Sequence, residues 1–334
     1  MRSGPTTKRA ISSIMLKSLL PLCLPFCAIA ATISNSATSL TLLYQNNLNG
    51  SDDANHVGFL LLDEFEARNA PAACGTLNEK LLSRATIEAH SDDVLQSLSY
   101  LEFADRVSSD QSYFIESGVV SFSKRTNKLS FPALPSKYIE LPVLCTQSSN
   151  DNQPSDSKAT PANQITVSSS GNNFVGFRNK KSFRFLGIPY ADVPKRFVYS
   201  SLYSPTGKTI NATSYGAQCA QGGSGSEDCL FLNIQTPYIP KKGDKSDLRP
   251  VMFWIHGGGF TGGSGADQLS DGGNLASRED IVVVNINYRL STLGFLAIPG
   301  TDIKGNYGIA DQITALEVRC SSILLHRTNS SSGL

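Results

Sequence analysis

The apolar run Val251-Met252-Phe253-Trp254-Ile255 passes directly into His256-Gly257-Gly258-Gly259-Phe260. No other stretch constrains the fold as strongly. Consecutive glycines behind a strand-length run let the backbone turn sharply and bring bare N–H groups close to a ligand. Two N–H groups aimed at one point stabilise the oxyanion that forms during acyl transfer. Further apolar runs of strand length occupy 229–234 and 281–287. The runs 251–255 and 281–287 are nearly continuous, as expected of strands covered on both faces. A long loop with a short helix near 274–278 separates them. This order predicts an α/β sheet.

The sequence before these runs divides in two. Residues 147–163 are rich in Ser, Asn, Asp and Pro with almost no apolar content, and read as a linker. After it, 165–167 and 173–177 are expected to form a hairpin around Gly171, followed by a strand at 183–187. Before it, 38–146 is expected to be a small α+β region. It combines a strand at 58–62, a helix over 67–82, and a second helix over 92–107 capped by Ser91 or Asp92. Short strands follow at 119–122 and 139–145. Cys74 on the first helix and Cys145 on the last strand could staple this region end to end.

Residues 1–30 read as a secretory signal. Arg2, Lys8, Arg9 and Lys17 are basic, no acid precedes Asp52, and an apolar run closes on Ala28-Ile29-Ala30. That run is too short for ~30 Å of hydrocarbon and is interrupted by Pro21 and Pro25, so no membrane span is expected after cleavage. Cys23 and Cys27 leave with the signal. Cys74, Cys145, Cys219, Cys229 and Cys320 then face an oxidising compartment that favours pairing. Asn49, Asn211 and Asn329 begin N-glycosylation sequons. The net charge of +1 gives no reason to expect a nucleic-acid partner. No cofactor or metal is implied.

A set of motifs in fixed order resembles the type-B carboxylesterase family of α/β-hydrolases, which includes the cholinesterases. They are Phe185-Leu186-Gly187-Ile188-Pro189-Tyr190-Ala191, Ser226-Glu227-Asp228-Cys229-Leu230-Phe231-Leu232-Asn233-Ile234, and the glycine loop. Asn287-Tyr288-Arg289-Leu290, Leu293-Gly294-Phe295-Leu296, Gly305-Asn306-Tyr307-Gly308 and Asp311-Gln312 complete the set. The resemblance covers 164–317 and implies an incomplete α/β-hydrolase fold holding the N-terminal part of the central sheet. It implies a small-molecule carboxylic ester as the substrate of a full-length relative, attacked by a serine that becomes acylated. It assigns the oxyanion hole to Gly258 and Gly259, a disulfide to Cys219 and Cys229, and a structural ion pair to Arg196 and Glu227. His256 is expected to make a structural hydrogen bond rather than act as base. The segment 220–228 has no aromatic residue, which argues against a choline-ester substrate recognised through a cation–π contact.

The family's chemistry needs Gly-x-Ser-x-Gly, then an acid, then a histidine. The nearest approach, Gly262-Gly263-Ser264-Gly265-Ala266, fails at Ala266 and follows no strand. Of the histidines, only His326 lies downstream. The chain as written is therefore expected to be inactive. Residues 318–334 depart from the family pattern and show no helical periodicity. We read this tail as a retained intron or a misplaced end of the reading frame. With no nucleophile strand beside it, 251–255 would be an open, apolar, aggregation-prone edge.

The region 38–146 has a fainter likeness. Cys74-Gly75-Thr76-Leu77 on a helix and Leu141-Pro142-Val143-Leu144-Cys145 on a closing strand resemble the order of a C-type-lectin-like domain. The family's central tryptophan and calcium-ligand motif are absent. A generic disulfide-stapled module is the other reading. Both allow a secreted, non-catalytic protein with a glycan or protein partner at this region.

Overall fold

The computed structural model describes residues 38–134, 139–149, 158–241, 244 and 248–321. The expected signal, Cys23, Cys27, residues 150–157 of the linker, His326 and Asn329 lie outside the described residues, as does the side chain of Cys320.

The chain runs β1 (Leu40–Tyr44), β2 (Gly58–Glu66), α1 (Ala70–Gly75), α2 (Arg84–Ala89), α3 (Ser91–Phe103), β3 (Ser112–Ile115), β4 (Gly118–Ser123), β5 (Lys128–Ser130) and β6 (Glu140–Thr146). It continues with β7 (Gln164–Ser169), β8 (Asn172–Arg178), β9 (Phe183–Pro189), β10 (Thr209–Asn211), β11 (Phe231–Thr236), β12 (Tyr238–Ile239) and β13 (Val251–Ile255). Then come α4 (Gly273–Glu279), β14 (Val282–Ile286), α5 (Ser291–Phe295) and α6 (Tyr307–Ser321).

Two sheets form among the described residues. One has the order β12-β1-β2-β6-β3-β4-β5. The other has β10-β8-β9-β11-β14-β13, with β7 paired to β8. In the first, the closing strand β6 inserts between β2 and β3, antiparallel to one and parallel to the other. In the second, β13 and β14 are parallel with α4 between them, and β11 is antiparallel to β14. The hairpin β7–β8 turns at Ser170 and Gly171, both with positive φ, as two-residue hairpins require.

The two sheets share material. β12, which follows β11 in the chain, pairs with β1 of the N-terminal region. Arg178 at the end of β8 meets Glu79 in a fully buried ion pair, each side chain 1% exposed. Arg178 also donates to Gln147 Oε1 at 2.8 Å and to the Leu77 carbonyl at 2.9 Å. Glu79 accepts from Ser148 N at 2.9 Å and from Thr146 Oγ1 at 2.5 Å. This satisfies the charges that burial strips of water. Apolar side chains from both regions join one continuous core.

Four local expectations are corrected. The helix expected over 67–82 is confined to Ala70–Gly75, because Asn78 takes a left-handed φ of 58° and Leu81 bridges to Cys145. Tertiary pairing overrides propensity there. Neither Ser91 nor Asp92 caps α3; the N-cap is His90, without a side-chain bond. In its first turn, Asp93 accepts from Val57 N and bonds His56 Nδ1 at 2.7 Å. The strand β13 is not covered on both faces: Met252, Trp254 and Ile255 are 36–39% exposed, because it forms the sheet edge among the described residues. Finally, α6 runs past Glu317 to Ser321 with Val318 buried. Extending a nucleated helix gains one hydrogen bond per residue fixed.

Candidate active site

The strand directions place three loops at one end of the second sheet. The C-terminal ends of β13 and β14 lie there, and so does the N-terminal end of antiparallel β11, whose Phe231 carbonyl accepts from Asn287 N at 2.9 Å. The N-terminal sheet joins through β12, past the other end of β11, and so packs at the opposite end.

The glycine loop leaves β13 with Gly258 at φ 111° and Gly259 at φ 60°. A Cβ on Gly258 would fall inside the carbonyl oxygen of Gly262, so no other residue fits. Gly258 and Gly259 are exposed, and neither N–H has a partner among the described residues. Phe260 also holds a left-handed φ of 64°, a conformation that costs about 1–3 kcal/mol outside glycine. Its carbonyl accepts from Ser291 N at 2.7 Å, and its ring packs on Phe295 at 4.8 Å. The loop is thus pinned to α5, while the N–H groups of Gly258 and Gly259 have no partner among the described residues.

His256 braces the base of the loop. Its ring stacks on Tyr288 at 4.4 Å, its Nδ1 pairs with the Gly257 carbonyl at 2.8 Å, and its own carbonyl accepts from Tyr288 OH at 3.0 Å. Burial pushes the imidazole pKa below its ordinary value, which keeps the ring neutral. A Cβ on Gly263 would collide with this ring.

The descending limb is held by amides. Gln221 accepts from Gly263 N at 2.8 Å and donates to Gly263 O at 2.8 Å. Asn287 Oδ1 accepts from Gly265 N at 2.8 Å, and Asn233 Nδ2 donates to Gly265 O at 3.0 Å. Sequence reasoning did not single out these side chains. Asn233 and Asn287 had a signal, as polar residues inside apolar strands. Gln221 had none, because only the fold brings it to the loop.

Cys219 and Cys229 are disulfide-bonded, closing the loop that carries Gln221. Cys74 and Cys145 are bonded, tying α1 to β6. Arg196 and Glu227 form a bidentate pair at 2.5–3.0 Å. It lies on the surface, with side chains 66% and 40% exposed, so screening by water makes it a weak contributor. Each partner stabilises the other's charge, raising the Arg196 pKa and lowering that of Glu227. The buried pairs lie elsewhere. Arg289 Nε and Nη2 donate to Asp311 at 2.8 and 2.7 Å, and Arg184 Nη2 donates to Asp271 at 2.6 Å. Both sequon asparagines in the described residues, Asn49 and Asn211, are exposed, and each Oδ1 accepts from its hydroxyl: Ser51 Oγ to Asn49 at 2.7 Å, Thr213 Oγ1 to Asn211 at 2.8 Å.

Ser264 is the serine that follows the glycine loop. Its Oγ contacts Asn287 Oδ1 at 3.3 Å and accepts from Ala266 N at 3.0 Å, with no imidazole in its hydrogen bonds. It is not an activated nucleophile.

The carboxylesterase family profile matches residues 164–318. Over these residues the chain is similar to carboxylesterases. Esterase E4 of Myzus persicae is 40% identical over 151 residues, covering 42% of this chain and 27% of that protein. Pyrethroid hydrolase Ces2a of Mus musculus is 39% identical over 166 residues, covering 43% and 29%. Among solved structures, the Geobacillus stearothermophilus carboxylesterase EST55 is 37% identical with a TM-score of 0.42, covering 47% of this chain and 34% of that one. The chain thus spans 27–29% of the length of these curated relatives. The matched residues form the mixed β-sheet with its helices α4 to α6, preceded by an α+β region.

Proposed function

We propose that residues 164–318 are the oxyanion-holding part of a carboxylic-ester hydrolase that works through a serine acyl-enzyme. One observation carries the reading. Gly258 and Gly259 present exposed, unpartnered N–H groups on a loop whose conformation is fixed by α5, His256, Gln221 and Asn287. Preorganised donors of this kind are worth about 10²–10³ in kcat each when they meet a developing oxyanion. The substrate is a small carboxylic ester. The 334 residues contain no Gly-x-Ser-x-Gly motif, so in this reading the chain by itself turns over no ester. Sequencing the transcript across Glu317 tests the reading. A reading frame that continues α6 into Gly-x-Ser-x-Gly supports an enzyme. Clean cDNA encoding only the 334 residues overturns it.

A second reading, a secreted binding protein, is favoured by the N-terminal sheet. Its closing strand β6 inserts between β2 and β3 and is tied by Cys145 to α1. This sheet sits at the end away from the glycine loop, so a glycan or protein bound there would not meet the ester. No helix among the described residues is long and apolar enough to cross a membrane. A glycan array probed with the whole chain tests this reading: a specific hit favours binding, and a blank array counts against a glycan partner.

A further inference from the structure

A groove of about 600 Å³ opens between the N-terminal region and α4, within the range of about 300–1,000 Å³ that small-ligand sites occupy. Its walls come from the segment that follows β1, from α3 and from the C-terminal end of α4. Asp280 precedes the start of β14, and the glycine loop lies at the other end of that strand. The groove is therefore remote from the ester-binding end.

Its polar groups are accessible. Gln96 is exposed and Gln45 half-buried, and Gln45 Nε2 donates to Gln96 Oε1. This leaves Gln45 Oε1 as an acceptor and Gln96 Nε2 as a donor, neither with a partner among the described residues. Gln45 Oε1 is not a buried atom. Tyr100 is 39% exposed, and its OH donates to Asp280 Oδ2 at 3.2 Å, which holds the ring at the groove wall.

The remaining wall narrows the ligand chemistry. Arg278 pairs with Glu279 at 3.3 Å, while Asp280 meets Arg249 at 2.5 Å and Arg106 at 3.6 Å. The charges at the groove are thus met within the chain, which favours an uncharged ligand. Leu42, Leu43 and Leu101 are buried beneath it, so no apolar pocket is open for the side-chain anchors that protein partners use. A saccharide needs what is left. Its C–H face can lie on an aromatic ring, and each of its hydroxyls both donates and accepts, as the two free amide groups require.

We propose that this groove binds a short neutral glycan, laid against the Tyr100 ring and hydrogen-bonded to Gln45 and Gln96. The proposal rests on the binding-protein reading above and gives it a site.

Titrating the full chain calorimetrically with maltotriose, cellotriose and N-acetylchitotriose tests this, with a blocked Gly-Ser-Gly-Ser peptide as the neutral polar control. At least one trisaccharide is expected to bind saturably, and the peptide is not. Gln96→Ala is expected to weaken that binding by about three- to tenfold, the effect of losing a neutral hydrogen bond. Tyr100→Ala is expected to weaken it by about tenfold or more, because the ring's apolar contact is lost. Tyr100→Phe keeps the ring and is expected to retain binding. Gln96 is exposed on α3, so Gln96→Ala reads the site with the fold intact even where Tyr100→Ala is unstable. A trisaccharide bound equally by wild type, Gln96→Ala and Tyr100→Ala would overturn the groove while leaving the binding-protein reading standing. No saturable binding of any of the three trisaccharides, or equal binding of the peptide, would also overturn the proposal.

Discussion

The junction between the two sheets and the free end of the second sheet are built from opposite materials. At the junction, a charged pair is buried and fully hydrogen-bonded, and a strand crosses from one sheet to the other. At the free end, apolar side chains on β13 stay exposed, and the backbone donors of Gly258 and Gly259 stay unpaired. Adjacent strands show the same contrast. All of β14 is buried, while β13 beside it is half open. At the junction the buried charges find their partners within the chain. At the free end, apolar surface and two N–H donors have none among the described residues.

Breaking the junction should have the largest effect. Glu79→Ala leaves Arg178 buried without its partner and is expected to cost about 3–5 kcal/mol, read as a drop in the urea midpoint of the whole chain. Glu79→Met with Arg178→Met should recover much of that loss, since matched apolar replacements remove the unpaired charge. The disulfides come next. Replacing Cys74 and Cys145 by alanine opens a loop with a separation of 71 residues and should cost about 4 kcal/mol in the chain-entropy view. Replacing Cys219 and Cys229, separated by 10 residues, should cost about 2–3 kcal/mol. It should also loosen Gln221 from Gly263.

A pH series sharpens the comparison further. His56 bonds Asp93 and Asp52 at 2.7 and 3.1 Å, and the Asp93 bond leads in raising its pKa above 6.5. That stabilisation is full below the unfolded value and is lost as pH rises through the folded one. Melting temperature should therefore fall across that window, and Asp93→Asn should flatten the fall. The smallest effects belong to the surface. Arg196→Ala should leave the midpoint nearly unchanged, because its ion pair is exposed. The single tryptophan, Trp254, lies on β13 and is 39% exposed. Its fluorescence should be readily quenched by acrylamide. A blue-shifted, protected emission would show that something covers the edge.

Much of the second sheet was legible in the sequence, because its strands are continuous apolar runs and its turns carry glycine. The site loop was legible for the same reason: Gly258 must be glycine wherever the chain folds back on Gly262. The half-exposure of β13 was not legible, since an apolar run does not say whether a neighbour covers it. Nor was the junction. Glu79 and Arg178 lie far apart in sequence, and Glu79 falls in a stretch whose propensity is helical. Only the tertiary bridge from Leu81 to Cys145 pulls it straight. Gln221 escaped notice because its partner, Gly263, offers only backbone.

The central claim is that this chain carries the oxyanion half of an ester-hydrolysing site and no nucleophile. Intact-mass spectrometry of the purified, folded 334-residue chain after incubation with a fluorophosphonate tests it most directly. The predicted result is an unchanged mass. A stoichiometric phosphonyl adduct that is lost on unfolding the protein beforehand would contradict it.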